Sequence, residues 1–201
     1  MTIKNIRIKD CAEVRSGFSP KGAIVNEPEG TLQVITAQHL NRGESYRYEA
    51  EHKLVITPPR FSEKYLVKPS DILFMSRGAN NYAVLVESVP QPAIAPLTFL
   101  ILKPKPGVIP AYLAWCINQE PVKAKLNEMR MGAGTPMIPR REFEEIIIPL
   151  PPLSTQQRIA TLADLQAKEK ILLKQLVEET ERLHATAGKQ LLYNLTNSEK
   201  E

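Results

Sequence analysis

Cysteine is scarce in this sequence: among 201 residues there are two, Cys11 and Cys116, with no CxxC pair and no cysteine/histidine cluster. That spacing excludes a disulfide-stapled scaffold and offers no zinc-site pattern, so both thiols are expected to be reduced and buried in a cytoplasmic protein. Histidine is scarcer than most catalysts need. His39, His52 and His184 are scattered, and none opens an HxxxH or HExxH pattern. No apolar run approaches the roughly 20 residues that span a bilayer, and Met1 to Asp10 is charged throughout, without the apolar centre of a signal peptide. A Walker loop, a GxSxG elbow and a dinucleotide-binding glycine pattern are all missing. The stretch Ile56-Thr57-Pro58-Pro59-Arg60 lacks both the amide or carboxylate and the aromatic of an adenine-methyltransferase motif. Carboxylates cluster only at Glu142, Glu144 and Glu145, beside Arg140 and Arg141, which reads as a solvated charged helix or turn. These absences point away from an enzyme, and no metal or cofactor site is expected within the chain.

What is present is ordinary in bulk: 43% hydrophobic and 24% charged residues, enough for one good core. Charge is more telling when divided. Residues 1–150 hold 19 lysines and arginines against 15 acidic residues, whereas residues 151–201 hold 7 of each. The surplus of 4 therefore lies in the first part, weak support for a polyanionic partner.

That first part reads as mixed α and β structure. Segments 6–8, 11–14, 32–35, 53–56, 65–67, 72–75, 83–86 and 98–102 have the apolar, β-branched character of strands, most of them flanked by prolines or turn residues. Lys68-Pro69-Ser70-Asp71 reads as a tight turn. Pro110 to Met129 is the one clear helical region, with Pro121 marking a break or fresh start.

From Ile146 the character changes. Ile146-Ile147-Ile148-Pro149-Leu150-Pro151-Pro152-Leu153 is a short apolar strand leaving through a polyproline-like segment. Ser154 to Gln157 fits a capping box, and no proline follows as far as Asn194. About 40 helical residues make a rod of about 60 Å, too long for the preceding domain to wrap. Ile159, Leu162, Leu165, Leu172, Leu176 and Leu183 recur at spacings of three, four and seven, with Leu191 and Leu195 continuing the stripe. That is a coiled-coil-like seam, broken by Glu169 and Glu179 and widened by Ile171, Leu173 and Val177. The expected fold is α+β: a globular mixed α/β domain over residues 1–152, then one long dimerisation helix over 153–201 that pairs as an antiparallel coiled coil.

Three loops carry recognition chemistry. Ser16 to Gly22 combines glycines with Ser16, Ser19 and Lys21, which can bond phosphate or base edges. Ser76 to Tyr82 offers Arg77 for a guanine edge or phosphate, Asn80 and Asn81 for adenine, and Tyr82 for packing on sugar or base. Met131 to Pro136 is a flexible turn bearing Thr135, followed by Arg140 and Arg141. Arg42 and Arg47, near Gln38, His39 and Tyr46, form a weaker fourth patch.

Four segments, in order, resemble the specificity subunit of type I restriction–modification systems. Ile8 to Gly17 is similar to the opening of its target recognition domains. Val67 to Gly78 resembles the GDIL…RG motif, with Ser70 in place of the usual glycine. Gly134-Thr135-Pro136 through Ile138 resembles the loop before the last strand, and Ile148 to Leu153 with Gln156-Gln157-Arg158-Ile159 resembles the IPLPPLxEQxxI approach to the conserved helix. Family members typically carry two recognition domains and two such helices, and one of each is found here. The resemblance implies a non-catalytic, DNA-binding subunit whose long helix pairs with that of a second copy. Such a homodimer would read a bipartite, palindromic site in double-stranded DNA. It further implies modification (methyltransferase) subunits that use S-adenosylmethionine, and leaves room for a restriction subunit that consumes ATP with Mg. Those cofactors would belong to the partners. The competing reading is a coiled-coil interaction module that binds modification subunits without reading DNA.

Overall fold

The computed structural model describes residues 3–198 apart from positions 21, 59, 90 and 133. In chain order the elements are β1 (Lys4–Arg7), the single-turn α1 (Ile8–Cys11), β2 (Ala12–Ser16), β3 (Leu32–Val34), β4 (Val55–Ile56), β5 (Leu66–Val67), β6 (Ile72–Met75), β7 (Ala83–Leu85), β8 (Ala93–Ile94) and β9 (Phe99–Pro104). There follow α2 (Pro110–Ile117), α3 (Glu120–Glu128), α4 (Arg140–Glu144), β10 (Ile147–Leu150) and α5 (Leu153–Ser198). Short 3-10 turns at 37–39, 50–52 and 63–65 fill the loops. The chain divides into two compact units, Met1–Thr161 and Leu162–Glu201.

The first unit is built around the antiparallel sheet β2-β9-β6-β7. The unbroken apolar runs Ile72-Leu73-Phe74-Met75 and Phe99-Leu100-Ile101-Leu102 suit strands buried on both faces, and period-two alternation sorts them. Ile72, Phe74, Leu100 and Leu102 face a core shared with Tyr112, Leu113 and Cys116 of α2 and Val122 and Leu126 of α3. Leu73, Met75, Phe99 and Ile101 face a second core with Ile35, Leu40 and Tyr46. A smaller sheet, β4-β3-β8-β5, is antiparallel except for the β3–β8 pair and encloses a third cluster around Phe18, Val34 and Ile94. Pro121 sits in the first turn of α3, where its missing N–H costs nothing. The expected break in the helical region is thus a fresh start.

β1 pairs with β10, which brings the two ends of the unit together, with Ile6 opposite Ile148. α4 was expected to be a solvated charged segment. Its Arg140, Arg141 and Glu142 are exposed, yet Phe143 is fully buried and stacks on Phe74 at 4.3 Å between ring centroids. α4 is therefore pinned to the first core.

α5 runs unbroken for 46 residues. The capping box expected at Ser154 and Gln157 does not form: the helix begins two residues earlier than it requires, at Leu153, and Thr155 and Gln156 donate to the Pro152 carbonyl at 2.9 and 3.0 Å. Gln156 supplies the fixing contacts instead. Its side chain is buried, with Oε1 accepting from the Ile109 N–H at 2.9 Å and Nε2 donating to the carbonyls of Pro151 (2.9 Å) and Gly107 (3.1 Å). Ile159 was expected on the pairing seam, but it packs against the first core, and Ala160 is buried beside it. From Leu162 onward the leucines of the stripe are exposed within their own unit. No helix of the described residues is long and apolar enough to cross a membrane.

Candidate nucleic-acid interface

The three loops singled out by sequence lie side by side because all are tied to the same few strand ends. The first leaves β2 at Ser16, and there the Gly17 N–H donates to Phe99 O (3.0 Å) and the Phe18 N–H to Ala95 O (2.7 Å). A Cβ on Gly17 would lie 2.1 Å from the Pro96 carbonyl oxygen, so only glycine fits this approach. The second loop leaves β6 at Ser76, whose N–H and Oγ both donate to Thr98 O at 2.9 and 3.1 Å. Segment 95–99 therefore anchors both loops.

The third loop is closed by reciprocal 2.9 Å hydrogen bonds between Met131 and Met137. It is then laid against the second: Gly78 N–H donates to Pro136 O and Ile138 N–H to Ser76 O, each at 2.8 Å. Arg77 and Met137 form an antiparallel bridge between them. These segments and the start of α4 bound an open cleft of about 640 Å³, lined in part by Ser16, Arg77, Met131, Met137, Arg140 and Arg141.

The electrostatics of the cleft are positive but not uniformly so. The side chains of Arg77 and Arg141 are exposed and make no ion pair or hydrogen bond with a described residue. Arg140 is held by Glu144 (Nε to Oε1, 2.7 Å), and Glu142 also lines the cleft. Two guanidinium groups are therefore left to meet an anion or a base edge. Met131 and Met137, 60% and 37% exposed, add apolar surface to the cleft, a contribution that no sequence pattern around them signals.

The remaining expected residues divide. Ser19, Asn80 and Thr135 are exposed near the cleft's loops but do not line it, and Lys21 lies outside the described residues. Asn81 is committed internally: Nδ2 donates to Met75 O at 2.8 Å, and Oδ1 accepts from Arg130 Nε at 2.9 Å. Tyr82 is half-buried against the second core, and burial raises its hydroxyl pKa. Both are therefore placed to shape the loop.

The fourth patch is also largely structural. Tyr46 is buried, its hydroxyl accepting from Gln33 Nε2 at 3.2 Å, with its pKa pushed up to about 12 by burial. His39 stacks on His52 at 4.8 Å, and burial, then the neighbouring imidazole, lowers its pKa. Arg47 pairs with Glu87. Among the described residues no group of three or more metal-ligating side chains is assembled.

The first unit is thus a mixed α/β fold whose loops meet at a cleft with two exposed arginines, and α5 follows it in the chain. The chain belongs to the type I restriction modification DNA specificity domain family, whose model matches residues 2–182. It is 28% identical over 158 residues to the type I restriction enzyme MjaIX specificity subunit of Methanocaldococcus jannaschii, covering 78% of this chain and 36% of that protein. The MjaVIII specificity subunit of the same organism is 25% identical over 158 residues, with 78% and 34% covered. The match thus spans about a third of the length of these curated relatives. The fold is similar to the HsdS subunit from Thermoanaerobacter tengcongensis (TM-score 0.63, 16% identity, 85% of this chain and 38% of that one). It is also similar to the S subunit from M. genitalium (TM-score 0.52, 13% identity, 80% and 38%).

Proposed function

We propose that this chain reads DNA sequence for a type I restriction–modification assembly and performs no chemistry itself. The observation that carries this is the convergence of three separate loops on one cleft that leaves Arg77 and Arg141 unpaired. Lysines and arginines of the domain fix register on phosphates, and the loops enter the major groove. Arg77 is the candidate for a guanine edge and Asn80 for adenine, each bidentate contact discriminating by about 1–3 kcal/mol. Ser16, Ser19, Lys21, Thr135 and Arg140 are candidates for phosphate or base contacts around them. Residues 1–152 form the recognition domain and residues 153–201 the spacer helix.

The exposed leucine stripe of α5 pairs, in this reading, with the same stripe of a second copy running antiparallel. Two identical recognition domains related by a twofold axis then meet a bipartite palindrome with an uncontacted spacer. The assembly includes modification subunits that methylate adenine with S-adenosylmethionine, and a restriction subunit, where present, supplies the ATP- and Mg-dependent step. The exposed stripe also favours a second reading, an interaction module that engages modification subunits without touching bases.

Mapping methylated adenines in cells that express the chain with its modification subunits separates the two. The DNA-reading chain gives one bipartite motif, and Arg77→Ala with Asn80→Ala relaxes or abolishes it. An unaltered motif rules out that loop as the reader. Loss of the chain without any change in the methylated sites favours the interaction module.

A further inference from the structure

We infer that Arg130 is a positioning residue for base recognition, clamping the Arg77–Asn81 loop so that Asn80 is presented in one orientation. The inference rests on the DNA-reading function proposed above. The loop leaves β6 and returns to β7 through a hydrogen bond from Met75 N–H to Tyr82 O (2.9 Å), so its tip has little strand pairing of its own. Arg130 supplies what the ladder does not. Its Nη2 donates to Ala79 O at 2.6 Å and its Nε to Asn81 Oδ1 at 2.9 Å, while Asn81 Nδ2 reaches back to Met75 O at 2.8 Å. The two residues held by the guanidinium flank Asn80 on either side, and Asn80 itself is exposed without a partner among the described residues.

The clamp is rigid at its base. Arg130 is half-buried just beyond the end of α3, whose Leu126 is buried in the first core and whose Met129 packs against it. The next residue, Met131, opens the third loop and bridges Met137, which in turn bridges Arg77. The Arg130 side chain therefore ties the end of α3 to the second loop, while the next residue of the backbone, Met131, carries the chain into the third. A planar fork suits this task, since lysine can satisfy one of the two acceptors but cannot fix the angle between them. Arg130 has no ion pair among the described residues, so a direct phosphate contact is the rival role, and the two roles differ in what they do to selectivity.

The test uses the full chain and duplex DNA. A site is first selected from a randomised duplex library by the unmodified protein. Binding to that site and to a scrambled duplex is then measured across a salt series. For Arg130→Ala, preference for the selected site falls at least tenfold, while affinity for scrambled DNA and the salt slope stay at the unmodified values. Amide hydrogen exchange at residues 77–82 of the free protein quickens, and Arg130→Lys recovers part of the preference. Asn81→Ala reproduces the loss, and the double variant is no worse than either single one. The assignment is overturned if Arg130→Ala keeps full preference, or if it weakens all sequences alike and lowers the salt slope by about 1, as a lost phosphate contact does. Additive effects of the two substitutions overturn it as well. Should Arg130→Ala not fold, Arg130→Lys and Asn81→Ala decide by the same readouts. If the unmodified protein selects no sequence, the DNA-reading function fails and takes this assignment with it; selection by the unmodified protein with unchanged selection by the variants removes Arg130 alone.

Discussion

Single residues carry two strains worth testing. Ser70 has φ +75°, the left-handed conformation, at the third position of the turn from Lys68 to Asp71, where the Asp71 N–H donates to Lys68 O at 3.0 Å. A turn with proline second and a positive φ third favours glycine there. Family resemblance places glycine at this position too, so the serine is held against its preference by neighbouring bonds, including Ser70 N–H to Val86 O at 2.8 Å. Ser70→Gly is expected to stabilise the fold by about 1 kcal/mol. Calorimetry should then show Tm rising by roughly 2–4 °C; a fall would mean that the serine makes a compensating contact. The second strain is electrostatic. Burial pushes the Cys11 thiol up to about 11, and burial likewise raises Cys116 and Tyr112 in the same core. An unfolded cysteine titrates near about 8.5, so above that pH the unfolded chain holds fewer protons than the folded one. Stability should therefore decline as pH rises from about 9 to about 11. Urea midpoints across that range should fall less steeply for Cys11→Ala than for the unmodified chain, and equal slopes would discard the cause.

At the scale of elements, Gln156 is the test of how the long helix is attached. Its side chain occupies one backbone donor, at Ile109, and two carbonyls, at Gly107 and Pro151, while almost wholly buried. Gln156→Ala strands the Ile109 N–H and is expected to cost about 2–4 kcal/mol. Chemical denaturation would read this as a lower midpoint at unchanged slope, and a loss below about 0.5 kcal/mol would show that water replaces the bonds. The glutamine stands inside a stretch whose sequence reads as a helix start, but two of its three partners, Ile109 and Gly107, are 47 and 49 residues away, which no local pattern reveals. The same distinction runs through the fold. β6 and β9 were legible because strands buried on both faces are continuously apolar. β8, two residues long beside Pro92, was not, since it has no period to detect. The three cleft loops were legible as glycine-bounded polar segments. By sequence, Tyr82 stands beside Asn80 as a leading base-reading candidate and Asn81 is an adenine candidate too, because only the packed loop reveals that Tyr82 is half-buried and that Asn81 is spent on Met75 and Arg130. Arg130 itself carries no local sign of its role, for Ala79 and Asn81 lie 51 and 49 residues before it.

For the whole molecule, the decisive question is what covers α5. Leu162, Leu165, Leu172, Leu176, Leu183, Leu191 and Leu195 are each between 56 and 66% exposed. An isolated helix with such a stripe gains nothing from burial, whereas in proteins most helical stability comes from packing an apolar face rather than from propensity. Each leucine taken fully out of water contributes roughly 1.5–3 kcal/mol, so pairing of two copies over these positions is ample to hold a dimer. Polar residues beside the stripe form pairs within the helix, such as Lys168 to Asp164 at 2.6 Å and Arg182 to Glu179 at 2.7 Å, which need no partner chain. Leu172→Asp with Leu176→Asp places two carboxylates one turn apart on the stripe, where the proposed pairing of two copies would bury them. Burying unpaired like charges costs far more than the leucines contribute. Sedimentation equilibrium should therefore show the double variant at half the mass of the unmodified protein, with the first unit still folded by circular dichroism. Lys170→Asp, on the polar side, should leave the mass unchanged. The monomer should keep weak binding to a single half-site and lose its preference for two half-sites at fixed spacing. An unaltered mass for Leu172→Asp with Leu176→Asp would mean that something other than a second α5 meets the stripe, and the palindromic site would lose its physical basis.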